Sequence, residues 1–471
     1  MKLFKNRPDF YKKVFGLALP IAAQSLITIG VNMLDTMMVG SLGDDALSAT
    51  SLANSFISIY HILCMGLGMG ASVLVSRYWG MKNAAKLPDE EAEAVHALKQ
   101  TICLMLRITM ALAACFAIYT AISPGSIMRM YISHEGIDGL GVIYLRYSIP
   151  TFFFLGASLV TTIVLRSVGQ VKLPLYVSIG AFFVNLGANY TFIFGHFGAP
   201  RMEVAGAALG TLIARVFEAS VICGYLLFYD RKINFRIKNL TMKTRSLIGE
   251  YFRICIPVLV SDGILAIGNN SVAMVIGRLG ATFVAANAIT SVTQQLSAVM
   301  IQGVSQAGAI VTGTTLGEGD REKTMEQGYM FFGLGLALGL VSAAFIIIFN
   351  EPIISYYGAV SEETVVIAKQ LMAAISLIVV FQGTNSIMTK GVLRGGGDTK
   401  LLMLTDNVFL WVLALPLGIL AGFVFKWSAF WIYVCLKSDQ IIKTLYSYLR
   451  LRSGKWIKKI STGKKQVLVE E

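Results

Sequence analysis

The chain has 471 residues, 55% of them hydrophobic and 14% charged, with 45 glycines and a mean hydropathy of +0.67. Average soluble domains carry about 25% charged residues, so a water-facing surface is excluded, as are disorder, a collagen-like repeat and a disulfide scaffold. The net charge of +13 does not mark a nucleic-acid binder, because the basic residues fall in the breaks between apolar runs. A polytopic membrane protein remains.

A bilayer core of about 30 Å needs about 20 apolar helical residues. The first such run, 14–34, lies between Lys13 and Asp35. It is longer than the ~7–15 apolar residues of a secretory leader and reads as an uncleaved first span. Eight further stretches free of Asp, Glu, Lys and Arg follow: 46–76, 108–128, 147–165, 173–200, 279–317, 327–350, 370–389 and 407–425. Three others are apolar but interrupted: 204–229 by Arg215 and Glu218, 254–277 by Asp262, and 427–449 by Lys437, Asp439 and Lys443. The expectation is an all-α membrane protein of twelve transmembrane helices, with both termini on one face.

Charge asymmetry selects that face. The connections on the N-terminal side hold Arg77, Lys82, Lys86, Lys99, Arg166, Lys172, Arg321, Lys323, Lys390, Arg394 and Lys400, besides the basic central segment and both chain ends. The opposite face has far fewer, among them Arg129, Arg201, Arg278 and Lys426. Positive residues stay cytoplasmic, so both termini are expected inside a cell (plasma) membrane, with room for contact to anionic headgroups. Cys64, Cys103, Cys115, Cys223, Cys255 and Cys435 stand singly in apolar stretches and are expected to be buried thiols.

The two halves align on each other. Pro20, Gly40, Leu42, Gly43, Gly66, Gly80 and Lys86 match Pro257, Gly277, Leu279, Gly280, Gly303, Gly317 and Lys323, every pair 237 residues apart. A second block follows at an offset of 228, where RSVGQVKLP (166–174) faces RGGGDTKLL (394–402). The difference is assigned to an acidic loop, 87–96, in the first half. Copies of six spans each are parallel repeats, an organisation found in secondary transporters with substrate held between the halves near the midplane. The expected organisation is an N-terminal six-helix lobe (1–228), a basic cytoplasmic linker (229–249), a C-terminal six-helix lobe (250–449) and a basic tail (450–471). The lobes are pseudo-symmetric.

With Pro20, Asp35 and Gly40 in the first span, GASVLVSRYWGMKNAAK (70–86), VAGAALGTLIAR (204–215), GAIVTGTTLGEGDREK (308–323) and VLRGGGDTK (392–400), the chain resembles the multidrug and toxic compound extrusion (MATE) family over nearly its whole length. The resemblance implies cation-coupled antiport, in which H⁺ or Na⁺ enters while an organic, often cationic, compound leaves through alternating access of two lobes. It implies no cofactor. A monomer is expected, with small organic substrates and the lipid bilayer as partners and no nucleic acid.

Asp35 is the sharpest candidate for coupling. A carboxylate within a membrane helix costs about 2.5–3.5 kcal/mol, and the negative end of the helix dipole adds to that cost. Both effects penalise the ionised form and favour a protonated or cation-paired state. Asn185 and Asn189, four apart on one helix face, offer hard oxygen ligands, and Thr211 adds a hydroxyl; polar glue between helices is the competing explanation for the asparagines. With Asp35 they form a candidate Na⁺ site, and no other metal site is expected. Some members of the resembled family have an aspartate at the position of Asn189, so the missing charge shifts the expectation toward proton coupling.

Asp262, Asn269, Asn270 and Gln294 form a candidate substrate or second cation site in the C-terminal half. Other members carry acids where this chain has Leu265 and Gly383, so Asp262 is read either as a substitute for them or as a vestibule residue. Asp262→Asn is expected to weaken transport with expression intact. Pro20 and Pro257 are expected to bend their helices. Arg215 and Glu218, three apart, are expected to neutralise each other, and Asp406 to find Lys390 or Lys400.

GLGMG (66–70) and GLGLALG (333–339) follow no strand and read as small-residue helix packing. With neither a catalytic pair nor HExxH, no enzyme is indicated. A channel would need pore-lining polar repeats, and a primary pump a nucleotide-binding domain. The alternative to a multidrug exporter is a lipid-linked or polysaccharide flippase of a related superfamily.

Overall fold

The computed structural model describes residues 7–131, 135–356 and 361–458. The first half consists of α1 (Arg7–Gly40), α2 (Asp44–Ala84), α3 (Pro88–Ile122), α4 (Pro124–Arg129), α5 (Glu135–Ser148), α6 (Thr151–Ser167), α7 (Lys172–Phe194) and α8 (Glu203–Gly224). A π turn at Tyr225–Tyr229 and a 3₁₀ turn at Ile237–Thr241 lead into the second half. There follow α9 (Ile248–Arg278), α10 (Ala281–Gly317), α11 (Arg321–Tyr356), α12 (Glu362–Ser386), α13 (Thr399–Val408), α14 (Leu415–Ile419), α15 (Ala429–Leu436) and α16 (Ser438–Arg452). No strand occurs among the described residues.

Among the described residues, ten helices are long and apolar enough to cross a membrane, and eleven if α5 and α6, bent by 55°, count as one broken span. Ile122, Val341, Ile348 and Val412 are exposed on these helices, the surface a bilayer would cover. The twelfth predicted span, 427–449, is divided: α15 ends at Leu436 and α16 starts at Ser438, the break falling on Lys437. Pro20 and Pro257 lie inside uninterrupted α1 and α9.

Acids at helix starts match the positive end of the dipole, as with Asp44 and Asp45 in α2 and Glu362 and Glu363 in α12. The stretch assigned to an acidic loop behaves the same way and is helical. Pro88 opens α3, and Asp89, Glu90 and Glu91 fill its first turn. Most of the extra length of the first half lies in 123–134, which include α4, against 357–361 between α11 and α12. The repeat is visible in the turns: Gly43 and Gly280, 237 apart, take φ +114° and +122° between α1 and α2 and between α9 and α10. Only glycine enters that region without strain.

The described chain forms two compact units. One contains Ala23–Val75 and Ala92–Cys255; the other contains the chain up to Ala22, Ser76–Glu91 and the chain from Ile256 onward. In the first unit, Tyr60, Phe152 and Cys64 are fully enclosed with Phe116 beside them, and Tyr60 donates to the Phe152 carbonyl at 2.8 Å. The basic linker is docked. Asp230, fully buried, accepts from the Ile233 and Asn234 amides and from Gln170 Nε2. Arg107 holds the Leu240 carbonyl and Gln100 the Lys243 carbonyl. Of the cysteines, Cys64, Cys103 and Cys255 are buried; Cys115 is exposed and the other two are half-buried, because these helices also present apolar residues outward.

In the second unit, GLGLALG serves helix packing. A Cβ on Gly335 or Gly339 would approach the Thr384 or Val380 Cα of α12 to 2.9 or 2.7 Å. The segment after α16 folds back: Trp456 is fully buried, Lys458 N donates to the Gly396 carbonyl, and buried Arg77 donates to the Lys458 carbonyl at 2.6 Å. Asp398 pairs with Arg450 at 2.7 Å and Lys458 at 3.7 Å.

Candidate functional site

Asp35 sits one turn before the end of α1 and is half-buried. Asn189 on α7 donates its Nδ2 to Asp35 Oδ1 at 2.6 Å and to Asn185 Oδ1 at 3.3 Å. Both asparagines are enclosed, Asn189 to 1% exposure. Gly210 of α8 makes this possible, since a Cβ there would meet Asn189 N at 3.1 Å. A small residue at that turn lets two backbones close over a polar side chain. Gly206, one turn earlier, plays the same part against Ile193.

The predicted trio of Asp35, Asn185 and Asn189 is thus joined by hydrogen bonds. Tyr144, whose hydroxyl donates to Asn54 Oδ1 at 3.2 Å, is within electrostatic reach of Asp35, and the predicted Thr211 interacts with that tyrosine hydroxyl rather than with the trio. Tyr144 and Asn54 were missed in the sequence because single polar residues in apolar spans carry no periodic signal. Arg215, within electrostatic reach of Asp35, is ion-paired to Glu218 at 2.8 Å as expected. On the same unit, Gln24 donates to Ser178 at 2.7 Å and accepts from Arg166.

The MatE family model matches residues 20–191 and 257–420, two segments that begin at the repeat-related Pro20 and Pro257. The chain belongs to the MatE family. It is 25% identical, over 99% of its length and 98% of the relative's, to a "Probable multidrug resistance protein NorM" of Thermotoga maritima. It is 21% identical, over 97% of both chains, to an "Uncharacterized transporter YisQ" of Bacillus subtilis. A solved structure described as the outward-facing conformation of a multidrug resistance MATE family transporter superposes with a TM-score of 0.83. It is 18% identical, and the match covers 96% of this chain and 98% of that one. The fold is therefore that of a multi-pass MatE membrane protein.

The candidate residues of the second half of this MatE protein are divided among three sets of partners. Asp262 Oδ1 accepts from Arg394 Nη2 at 3.1 Å, with Arg394 buried. Asn269 accepts from Lys437 Nζ at 3.4 Å, and Asn270, beside it on α9, is exposed. Gln294 donates to Gln382 at 3.0 Å and accepts from Tyr433 at 3.2 Å. Asp406 is matched by Lys443 at 3.6 Å rather than by Lys390 or Lys400 as expected. Among the described residues, no three His, Cys, Asp or Glu side chains converge as metal ligands.

Proposed function

We propose that the protein is a secondary active multidrug exporter that couples entry of a proton to exit of small organic, often cationic, compounds by alternating access. The observation that carries this reading is the Asn189–Asp35 hydrogen bond inside the membrane part of a MatE chain. Antiport requires one group to bind ion and drug in exclusive states, since a ligand with equal affinity for both conformations shifts nothing. Asp35 can do this. Ionised, it accepts the Asn189 amide and attracts a cationic compound; protonated, it loses that attraction and releases it.

The donor set favours a proton over Na⁺. A sodium ion takes oxygen ligands, and here Asn189 turns N–H groups toward both Asp35 and Asn185. Its own Oδ1 is enclosed without a donor, so Na⁺ binding would require that amide to rotate. The membrane potential adds to the proton gradient when the exchange is electrogenic: one net charge crossing about 100 mV supplies about 2.3 kcal/mol, roughly a fifty-fold gradient per electrogenic proton.

The moving bodies in this reading are the two six-helix lobes, 1–228 and 250–449. The protein works as a monomer, without cofactor, in the plasma membrane with both termini cytoplasmic. Asp262 with Arg394, Asn269 with Lys437, and Gln294 with Tyr433 contribute polar groups to the substrate path of the second lobe. The test is export of a lipophilic cationic dye from proteoliposomes under imposed proton or sodium gradients. Wild-type protein is expected to respond to the proton gradient, and Asp35→Asn to insert normally yet lose uphill export. Uphill export by Asp35→Asn would overturn the assignment.

A further inference from the structure

The six residues that follow α16, Ser453–Lys458, form a strap that grips α2. Trp456 is fully buried, with its ring seated on Gly396 in the turn before α13 and on Gly328 of α11. A Cβ on Gly396 would press into that ring and stand 2.9 Å from the Trp456 carbonyl oxygen. Beside the ring, the strap backbone bridges two elements. Lys458 N donates to the Gly396 carbonyl at 3.0 Å, and Arg77 of α2, 6% exposed, donates to the Lys458 carbonyl at 2.6 Å. The same guanidinium reaches the Gly396 carbonyl at 3.4 Å.

The first half carries a counterpart. At the 228-residue offset, α8 and α16 end together at Gly224 and Arg452, Asp230 falls on Lys458, and Gln170 falls on Asp398. The equivalent residues meet in both halves: Gln170 donates to Asp230 at 2.8 Å, and Lys458 lies 3.7 Å from Asp398. What the straps hold differs. Asp230 is fully buried and accepts from amides of its own segment. Lys458 is exposed, and an ion pair at that exposure contributes little. The second strap is therefore held by the Trp456 ring and its main-chain bonds, and it reaches a helix of the other half of the sequence.

That helix changes company along its length. α2 passes from one compact unit to the other at Val75–Ser76, so Arg77 stands at the start of its second part. Three residues on, α2 crosses α10: a Cβ on Gly80 would lie 3.0 Å from Gly317 Cα. Glycine on glycine brings the backbones together and leaves no side chains to interlock. The strap supplies a hold on this crossing from the side, through Arg77.

We propose that Ser453–Lys458 is a latch on the end of α2: docked, it keeps the α2–α10 crossing shut, and it leaves its seat on Gly396 when that crossing opens in the transport cycle. The opening rests on the alternating-access reading given above. The hold does not, because it is read without gradient or transported compound.

The hold is tested by maleimide labelling of Thr314→Cys, at the crossing, in the full chain in nanodiscs with every native cysteine but Cys64 replaced. Thr314 is buried, and fully buried Cys64, in the other unit, reports general unfolding. Trp456→Ala removes the ring, and Gly396→Ala evicts it from the side of the turn. Each is expected to speed labelling at 314 about tenfold or more by favouring local opening, with Cys64 unchanged. Gly333→Ala on α11, where nothing lies within 4 Å of a Cβ, is expected to alter neither rate. Unchanged labelling in both strap variants overturns the proposal, and so does acceleration at 314 and Cys64 together, which is lost stability alone. Release is tested by Gly397→Cys/Lys458→Cys in the same background. A Cβ on Gly397 lies 3.4 Å from Lys458 Cβ, close to the distance of about 3.5–4.5 Å that a disulfide spans. Export of the cationic dye is expected to stop on oxidation and return on reduction, a comparison that cancels the strain of a side chain at φ +89°. Full export by the oxidised form overturns release. Absence of export from the wild-type chain would count against the export reading instead, and labelling would still decide the hold.

Discussion

Gly80 of α2 and Gly317 of α10, counterparts in the internal repeat, touch each other. A Cβ on Gly80 would lie 3.0 Å from Gly317 Cα, and one on Gly317 would lie 2.9 Å from Gly80 Cα. Each would press harder still on the carbonyl oxygen of Thr314 or Arg77, a pair with the same 237-residue spacing. Two helices related by the repeat therefore cross at related atoms, backbone on backbone. The obstructing atoms are main chain and cannot turn aside. Gly80→Val and Gly317→Val are each expected to cost about 1–3 kcal/mol or more and to lower export severalfold. Gly16→Val is the control, since nothing lies within 4 Å of a Cβ there. Scanning fluorimetry in detergent and dye efflux would measure both effects; equal behaviour of all three variants would refute the crossing.

Asp230 fixes the start of the linker. Its carboxylate, itself fully buried, accepts from the Lys232, Ile233 and Asn234 amides and from Gln170. Asp230→Ala strands these donors and is expected to lower stability by about 2–3 kcal/mol. Asp230→Asn keeps one acceptor oxygen and should lose roughly half as much. The comparison of unfolding midpoints distinguishes hydrogen bonding from lost volume.

The Asp262–Arg394 pair changes what Asp262→Asn is expected to do. On sequence grounds the substitution weakens transport and leaves expression intact. With Arg394 buried and paired at 3.1 Å, removing the carboxylate leaves a guanidinium without its counter-ion. Allowing for the partial exposure of Asp262, that is expected to cost about 2–4 kcal/mol. Lower yield and a lower unfolding temperature should accompany any transport loss, and Asp262→Asn/Arg394→Gln should recover much of the stability. Full stability in the single variant would return Asp262 to a purely functional role.

Membrane orientation is open to direct labelling. Cysteines placed at Lys238, in the 3₁₀ turn of the linker, and at Glu362, in the first turn of α12, lie on opposite faces of the expected topology. A membrane-impermeant maleimide applied to intact cells should label only the second. Labelling of both, or of Lys238 alone, would be incompatible with cytoplasmic termini.

The helical membrane architecture was legible in the sequence because each determinant is local. An apolar run sets a span, and a glycine at positive φ sets a turn, as with Gly43 and Gly280. The repeat was legible because Pro20 and Pro257 keep one spacing with Gly80 and Gly317. Even the Arg215–Glu218 pair followed from helical periodicity, since three residues make nearly one turn. What only the tertiary structure decided are the partners. Asn189 meets Asp35 across 154 residues, and Arg394 meets Asp262 across 132. Lys443, not Lys390 or Lys400, answers Asp406. Spacing fixes which face of a helix a residue occupies, but not which helix lies opposite. That choice comes from how closely backbones can approach, which Gly210 permits at Asn189. The linker and the twelfth span resisted sequence reading for a related reason. Asp230, Lys437 and Trp456 take their conformations from distant carbonyls, amides and glycines that exist as a surface only once the helices are assembled.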